Sequence, residues 1–95
     1  MSKKKITEIR KKIDKVDQEL LYLLNQRAEQ VIELGKIKHK LDLKIFDPKR
    51  EKSIFMNMTE KNPGPLPVDA IVRIFERIID ESRRLERVEV YEKDE

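Results

Sequence analysis

The sequence predicts an all-α fold with one long, one short and one medium helix. Charged residues make up 43% of the 95 residues and only two are glycine, a composition typical of long helices. Apolar residues recur at helical spacing, and no segment alternates apolar and polar residues as a half-buried strand would. A chain of this length forms one small domain, so we expect a single domain over residues 1–95.

The long first helix is predicted over about residues 5–40. Ile6, Ile13, Leu20, Leu34 and Leu41 share one heptad position, which keeps them on one face. A helix of this length extends roughly 54 Å, whereas a compact domain of this size is on the order of 26 Å across. Part of the apolar face would therefore stay exposed in one chain. We expect two chains to cover each other in an intertwined homodimeric helical bundle.

Proline residues mark the limits of the other two helices. Asp47 followed by Pro48 is typical of an N-cap and a first helical position, and predicts a short helix over about residues 48–61. The segment NPGPLP at 62–67 ends that helix. A third helix of medium length is predicted over about residues 68–91.

Two cations occupy the apolar face of the first helix. Arg27 takes the heptad position between Leu20 and Leu34, and Lys38 follows eleven residues later, within about 20° of the same direction. Because an unpaired buried charge is costly, each needs an acidic partner or an anionic ligand, and the first helix alone does not distinguish these. Gly35 lies between them, where either close helix packing or space for a ligand would explain it.

The other helices also place polar residues inward. Glu51 lies on the apolar face of the second helix with Arg50 at its border, and Ser82 and Glu86 lie on that of the third. One inward polar residue in a small bundle is usually structural, but six on three helices predict a polar pocket with excess positive charge. We expect a small, polyanionic, hydroxylated ligand.

Composition argues against several other classes of site. Without cysteine the chain forms no disulfide and no thiolate, as is usual in a reducing cytoplasm, and one histidine cannot build a zinc site. We therefore expect no metal, no cofactor and a cytoplasmic location. No segment has the length for a membrane span. The net charge of +3 is too weak and scattered to indicate nucleic-acid binding.

The remaining charged residues are expected to be solvated. His39 should be exposed on the outer side of the first helix. Spacings of three and four residues predict a charged outer face on the third helix, formed by Asp80, Glu81, Arg83, Arg84 and Arg87.

Five segments together resemble the all-helical (type II) chorismate mutases over essentially the whole chain. They are IRKKIDKVDQELLYLLNQR at 9–27, GKIK at 35–38, FDPKRE at 46–51, GPLP at 64–67 and IFERIIDESRRLE at 74–86. The resemblance implies an isomerase that converts chorismate to prephenate on the way to phenylalanine and tyrosine. This intramolecular [3,3] rearrangement needs no nucleophile, metal or cofactor.

The resemblance also implies which residues bind the substrate carboxylates. Arg27 would clamp one of them, and Arg10 from the partner chain would clamp the other, since roughly 25 Å along the helix axis separates Arg10 from Arg27 in one chain. Lys38 would contact a carboxylate and the ether oxygen, and Ser82 would contact a carboxylate.

Further matches concern the ring hydroxyl and the ether oxygen. Glu51 and the backbone near Asp47 would hold the hydroxyl, and Arg50 would line the site. Glu86 stands where the family has Gln or Glu, and would donate to the ether oxygen only when protonated. The expected catalytic residues are therefore Lys38, Glu86 and Arg27.

Other functions remain open on the sequence. An isochorismate pyruvate-lyase would use a similar pocket, and a non-catalytic regulatory or dimerisation domain would bind chorismate or prephenate without turnover. A nucleic-acid binder would need its cations on an exposed surface, whereas Arg27 and Lys38 face inward. The sequence does not distinguish a free enzyme from one domain of a bifunctional protein.

Overall fold

The computed structural model describes residues 2–93 and, in that range, contains helices and no strand. Helix α1 spans Ser2–Lys40, α2 spans Pro48–Lys61 and α3 spans Val68–Glu86. A π-helical segment, Arg87–Tyr91, continues α3. The predicted all-α fold with one long, one short and one medium helix is confirmed. No helix among these residues combines the length and apolar character needed to cross a bilayer.

The chain divides after Gln30 into two compact units. The first unit consists of α1 up to that residue. Its large apolar side chains, from Ile6 to Leu24, are exposed, because the unit contains no second element against which they could pack.

The second unit begins at Val31 and contains the end of α1, together with α2, α3 and the π-helical segment. Helix α2 packs against α3. The buried apolar residues of this unit are Ile79 in α3 and Val90 in the π-helical segment. Gly35 in α1 is also buried.

The predicted signals at the ends of α2 have clear structural roles. Asp47 Oδ1 accepts a hydrogen bond of 3.1 Å from the backbone N–H of Arg50, and Pro48 occupies the first turn. At the other end, the Asn62 side chain donates to the carbonyl of Leu66 (2.8 Å) and accepts from the N–H of Gly64 (3.1 Å). Gly64 has a φ of 74°, a left-handed conformation that favours glycine.

The π-helical segment is tied to the turn that follows α1. The Tyr91 hydroxyl donates to the carbonyl of Leu43 at 2.7 Å, and its ring centre lies 4.5 Å from that of His39. The expectation that His39 is exposed was wrong, because this ring contact leaves it half-buried. Burial raises the pKa of Tyr91, and the carboxylates of Glu86 and Asp42 raise it further.

Candidate active site

Lys38 and Glu86 form a buried ion pair between α1 and α3. Lys38 Nζ lies 3.2 Å from Glu86 Oε2, and the two side chains are only 12% and 7% exposed. Lys38 Nζ also donates to the carbonyl of Ile45 at 2.8 Å. Because an ammonium group has three N–H donors, these two contacts leave one for a ligand.

The sequence of α1 alone left open whether Lys38 has an acidic partner or an anionic ligand. An acidic partner is present, so the two charges neutralise each other in this structure. An anion that binds Lys38 would therefore compete with Glu86 for the ammonium group.

The turn after α1 places the Ile45 carbonyl beside Lys38 Nζ. Asp42 adopts a left-handed φ of 57°, and the N–H of Leu43 donates to the carbonyl of Lys38 at 2.8 Å. This is the hydrogen bond of a Schellman helix end, which reverses the chain direction. The reversal brings Ile45 back to the last turn of α1.

Gly35 allows Glu86 to approach α1. A Cβ added at position 35 would lie 3.2 Å from Glu86 Cγ and 3.3 Å from Val90 Cγ2. Both distances are shorter than ordinary contacts between carbon atoms. Close packing of α1 against α3 therefore explains this glycine, and that packing places Glu86 beside Lys38.

A second ion pair joins α2 to α3. Glu51 Oε2 lies 3.3 Å from Arg83 Nε, and the Glu51 side chain is 19% exposed. Arg83 Nη2 also lies 2.5 Å from Asp80 Oδ1, and its guanidinium carbon is 5.5 Å from the ring centre of Phe46. The expectation of a purely outward Arg83 was wrong, although its predicted pairing with Asp80 is present.

The two ion pairs occur in one region of the second unit. Ile45 and Phe46 are adjacent, and they contact Lys38 and Arg83 respectively. Arg83 and Glu86 are three residues apart on α3 and therefore project from neighbouring parts of its surface. An open cleft of about 410 Å³ adjoins this region, lined by Ile45, Phe46, Asp80, Arg83, Arg84 and Arg87.

The other site residues predicted in the second unit have local partners. The Asp47 carboxylate caps α2, which leaves the backbone near it as the group that could meet a ligand. Arg50 is exposed and its Nη1 lies 3.4 Å from Ser53 Oγ. Ser82 is half-buried, and its hydroxyl donates to the carbonyl of Ile78 at 2.7 Å.

Arg10 and Arg27 belong to the first unit. Arg10 is exposed and Arg27 is half-buried on α1. The structure thus brings together Lys38 with Glu86, while the roles expected for Arg10 and Arg27 stay predictions. In the part of the chain from residue 2 to 93, no group of three or more acidic or histidine side chains could hold a metal ion.

Sequence reasoning missed Arg83 as part of this region. The spacing of three residues from Asp80 to Arg83 was visible and indicated a surface ion pair. Its contact with Glu51 depends on how α2 packs against α3, for which the sequence offers no local signal.

Comparisons with known proteins point to one family. The profile of chorismate mutase type II matches residues 9–87. The bifunctional chorismate mutase/prephenate dehydratase of Aquifex aeolicus (strain VF5) is 40% identical over an alignment of 86 residues, and the match covers 86% of this chain and 24% of that protein. The chorismate mutase of Methanocaldococcus jannaschii is 31% identical over 91 residues, covering 87% of this chain and 85% of that protein.

A solved structure agrees with these relatives. The structure of chorismate mutase (Form II) from Thermus thermophilus matches with a TM-score of 0.87 at 38% identity, covering 88% of this chain and 96% of that one. The chain spans about a quarter of the length of the bifunctional relatives, with 24% and 21% of two of them covered.

Proposed function

Because the chain belongs to the chorismate mutase type II family, we propose that it is an isomerase that rearranges chorismate to prephenate in phenylalanine and tyrosine biosynthesis. The buried Lys38–Glu86 pair is the observation that carries the proposal. It supplies two potential hydrogen-bond donors on facing helices, and one of them depends on pH.

The rearrangement requires the protein only to bind the substrate in its reactive conformation and to stabilise the developing charge. In the [3,3] shift the ether C–O bond breaks as a C–C bond forms within the same molecule, so electrons are redistributed and no proton is transferred. The barrier falls when the flexible dicarboxylate is held in its reactive diaxial conformer. It falls further when donors meet the negative charge that develops on the ether oxygen.

Lys38 and Glu86 are the residues proposed for that oxygen. In the ligand-free pair Glu86 accepts from Lys38. A bound dianion would compete with Glu86 for Lys38, and Lys38 would then contact a substrate carboxylate and the ether oxygen. Protonated Glu86 then donates the second hydrogen bond to the ether oxygen.

The remaining substrate contacts follow from the family resemblance. Arg27 and Arg10 of the partner chain would clamp the two carboxylates, as guanidinium groups do with bidentate geometry. The Glu51 carboxylate would accept a hydrogen bond from the ring hydroxyl, and a backbone N–H near Asp47 would donate one to it. Ser82 would contact a carboxylate and Arg50 would line the site. A cytoplasmic location is likewise part of the proposal.

The proposal includes a homodimer in which the first helices pair. Seven large apolar side chains on the first unit are between 38% and 60% exposed: Ile6, Ile9, Ile13, Val16, Leu20, Leu23 and Leu24. Contiguous apolar exposure of this kind is typical of an interface. A second copy of α1, laid antiparallel, would cover this face with its own and would carry Arg10 toward the partner's site.

The test is the loss of chorismate absorbance on addition of the purified protein, with the product identified by its acid conversion to phenylpyruvate. Formation of pyruvate and salicylate from isochorismate would instead indicate the lyase. Tight binding of a bicyclic diacid analogue of the transition state, without turnover of chorismate, would indicate a regulatory domain.

A further inference from the structure

Arg83 makes contacts that an ordinary surface arginine does not make. It reaches Glu51 in α2, Asp80 one turn earlier in α3 and the ring of Phe46 in the preceding loop. These three contacts restrict where the guanidinium group can lie. The side chain is 38% exposed overall, yet its Nε is buried.

The Nε–H of Arg83 makes no hydrogen bond with any residue in the described range. Glu51 Oε2 is 3.3 Å away, so the two groups attract each other without forming a hydrogen bond. A buried donor without an acceptor is unfavourable, and a small shift of the Glu51 carboxylate would satisfy it. The arrangement therefore favours one position of that carboxylate.

We propose that Arg83 is a positioning residue that holds the Glu51 carboxylate where it accepts the ring hydroxyl of the substrate. The inference rests on the proposed mutase function. One carboxylate oxygen of Glu51 turns toward Arg83 Nε, and the other is left for the hydroxyl. Asp80 and Phe46 also contact the guanidinium group, so Arg83 is held independently of Glu51.

Removal of Arg83 would affect the position of the Glu51 carboxylate more than the stability of the fold. Glu51 is mostly buried, and without the cation its carboxylate would rotate toward water. That rotation removes an acceptor that contacts the substrate in both the ground state and the transition state. Loss of such a uniform contact raises KM and leaves kcat nearly unchanged.

The experiment compares Arg83→Met with wild type in steady-state turnover of chorismate. We expect KM to rise about tenfold with kcat within about threefold of wild type. The KM of Arg83→Lys should lie between those of wild type and Arg83→Met. An ammonium group cannot contact Glu51, Asp80 and Phe46 together as the planar guanidinium does. Arg77→Met is the matched control: this arginine on the same helix is exposed, pairs with Glu81 and does not line the cleft, so both constants should stay at the wild-type values.

A double-mutant cycle separates positioning from a structural effect. In an E51Q background, R83M should change KM less than about twofold, since the group that Arg83 positions is already altered. An unchanged KM in R83M, or an equal rise of KM with and without E51Q, would overturn the inference. If R83M does not fold by circular dichroism, R83K combined with E51Q decides the question by the same criteria.

Wild-type turnover distinguishes the two proposals. A wild-type protein that does not convert chorismate overturns the proposed function and this inference with it. An active wild type with R83M indistinguishable from R77M overturns the role of Arg83 alone.

Discussion

The Lys38 ammonium group and the Glu86 carboxylate lie 3.2 Å apart in a region from which water is largely excluded. Each group therefore neutralises the charge of the other until an anionic ligand binds Lys38 or a proton binds the carboxylate. A dianionic substrate is attracted to Lys38 and competes with Glu86 for it, whereas Glu86 can donate a hydrogen bond to the substrate only in its protonated form. This relationship links catalysis to pH.

Activity should fall as the pH rises and Glu86 loses its proton. Only protonated Glu86 donates to the ether oxygen, so kcat/KM should decrease as the pH rises. Glu86→Gln donates at every pH and should give a level profile. Profiles of kcat/KM for wild type and E86Q over mildly acidic to alkaline pH make the comparison.

A nearby acidic residue provides the control for this profile. Glu81 is exposed and pairs with Arg77 one turn away on α3. Glu81→Gln should keep the wild-type slope. Level profiles for both wild type and E86Q would contradict the role of Glu86.

Gly35→Ala should lower activity more than stability. The added methyl group would press on Glu86 Cγ and Val90 Cγ2. The resulting displacement of Glu86 costs activity, about tenfold, because a misplaced donor stabilises the ether oxygen poorly. The better helix propensity of alanine offsets the strain by up to about 1 kcal/mol, so Tm should change little.

Gly64→Ala is the contrasting variant. A Cβ there would meet no atom within 4 Å, but the residue has a left-handed φ of 74°. Strain should reduce the free energy of unfolding by about 1 kcal/mol and leave kcat/KM unchanged. Equal losses of activity in both glycine variants would show that Gly35 acts through general stability.

Much of this architecture could be predicted from local sequence. Asp47 and Pro48 mark the start of α2 by chemistry confined to one turn, and the inward positions of Lys38 and Glu86 follow from helical periodicity. The contacts of Arg83 with Glu51 and of His39 with Tyr91 could not be predicted in this way. Each joins residues more than thirty positions apart, and depends on the angle at which two elements meet.

Tyr91→Phe should reduce stability at neutral pH and less so in strong alkali. The variant loses the hydrogen bond from the hydroxyl to the carbonyl of Leu43, a loss of about 1 kcal/mol. The pKa of Tyr91 is raised above 10.0 in the folded protein, so folding favours the protonated form. Its contribution is therefore complete below pH 10 and disappears as the pH rises through the raised pKa.

Urea unfolding of wild type and Y91F at several pH values measures this difference. The gap in free energy of unfolding should be constant from about pH 6 to about pH 9 and narrow above about pH 10. A gap that is independent of pH up to the most alkaline condition would indicate that the hydroxyl contributes through packing alone.

Mixed dimers should recover activity that neither parent has. Arg10→Ala and Arg27→Ala each remove one carboxylate clamp from both proposed sites of a homodimer, so both proteins should turn over chorismate poorly. In a heterodimer of the two, one site combines the intact Arg27 of the first chain with the intact Arg10 of the second. The other site lacks both arginines.

The expected recovery follows from random assembly. Equal amounts of the two chains, unfolded and refolded together, form heterodimers as half of all dimers, and one site in each is intact. The mixture should regain about a quarter of the wild-type activity. Refolding either variant alone should recover none. Heterodimers detected by native mass spectrometry but inactive would show that each site takes both arginines from a single chain.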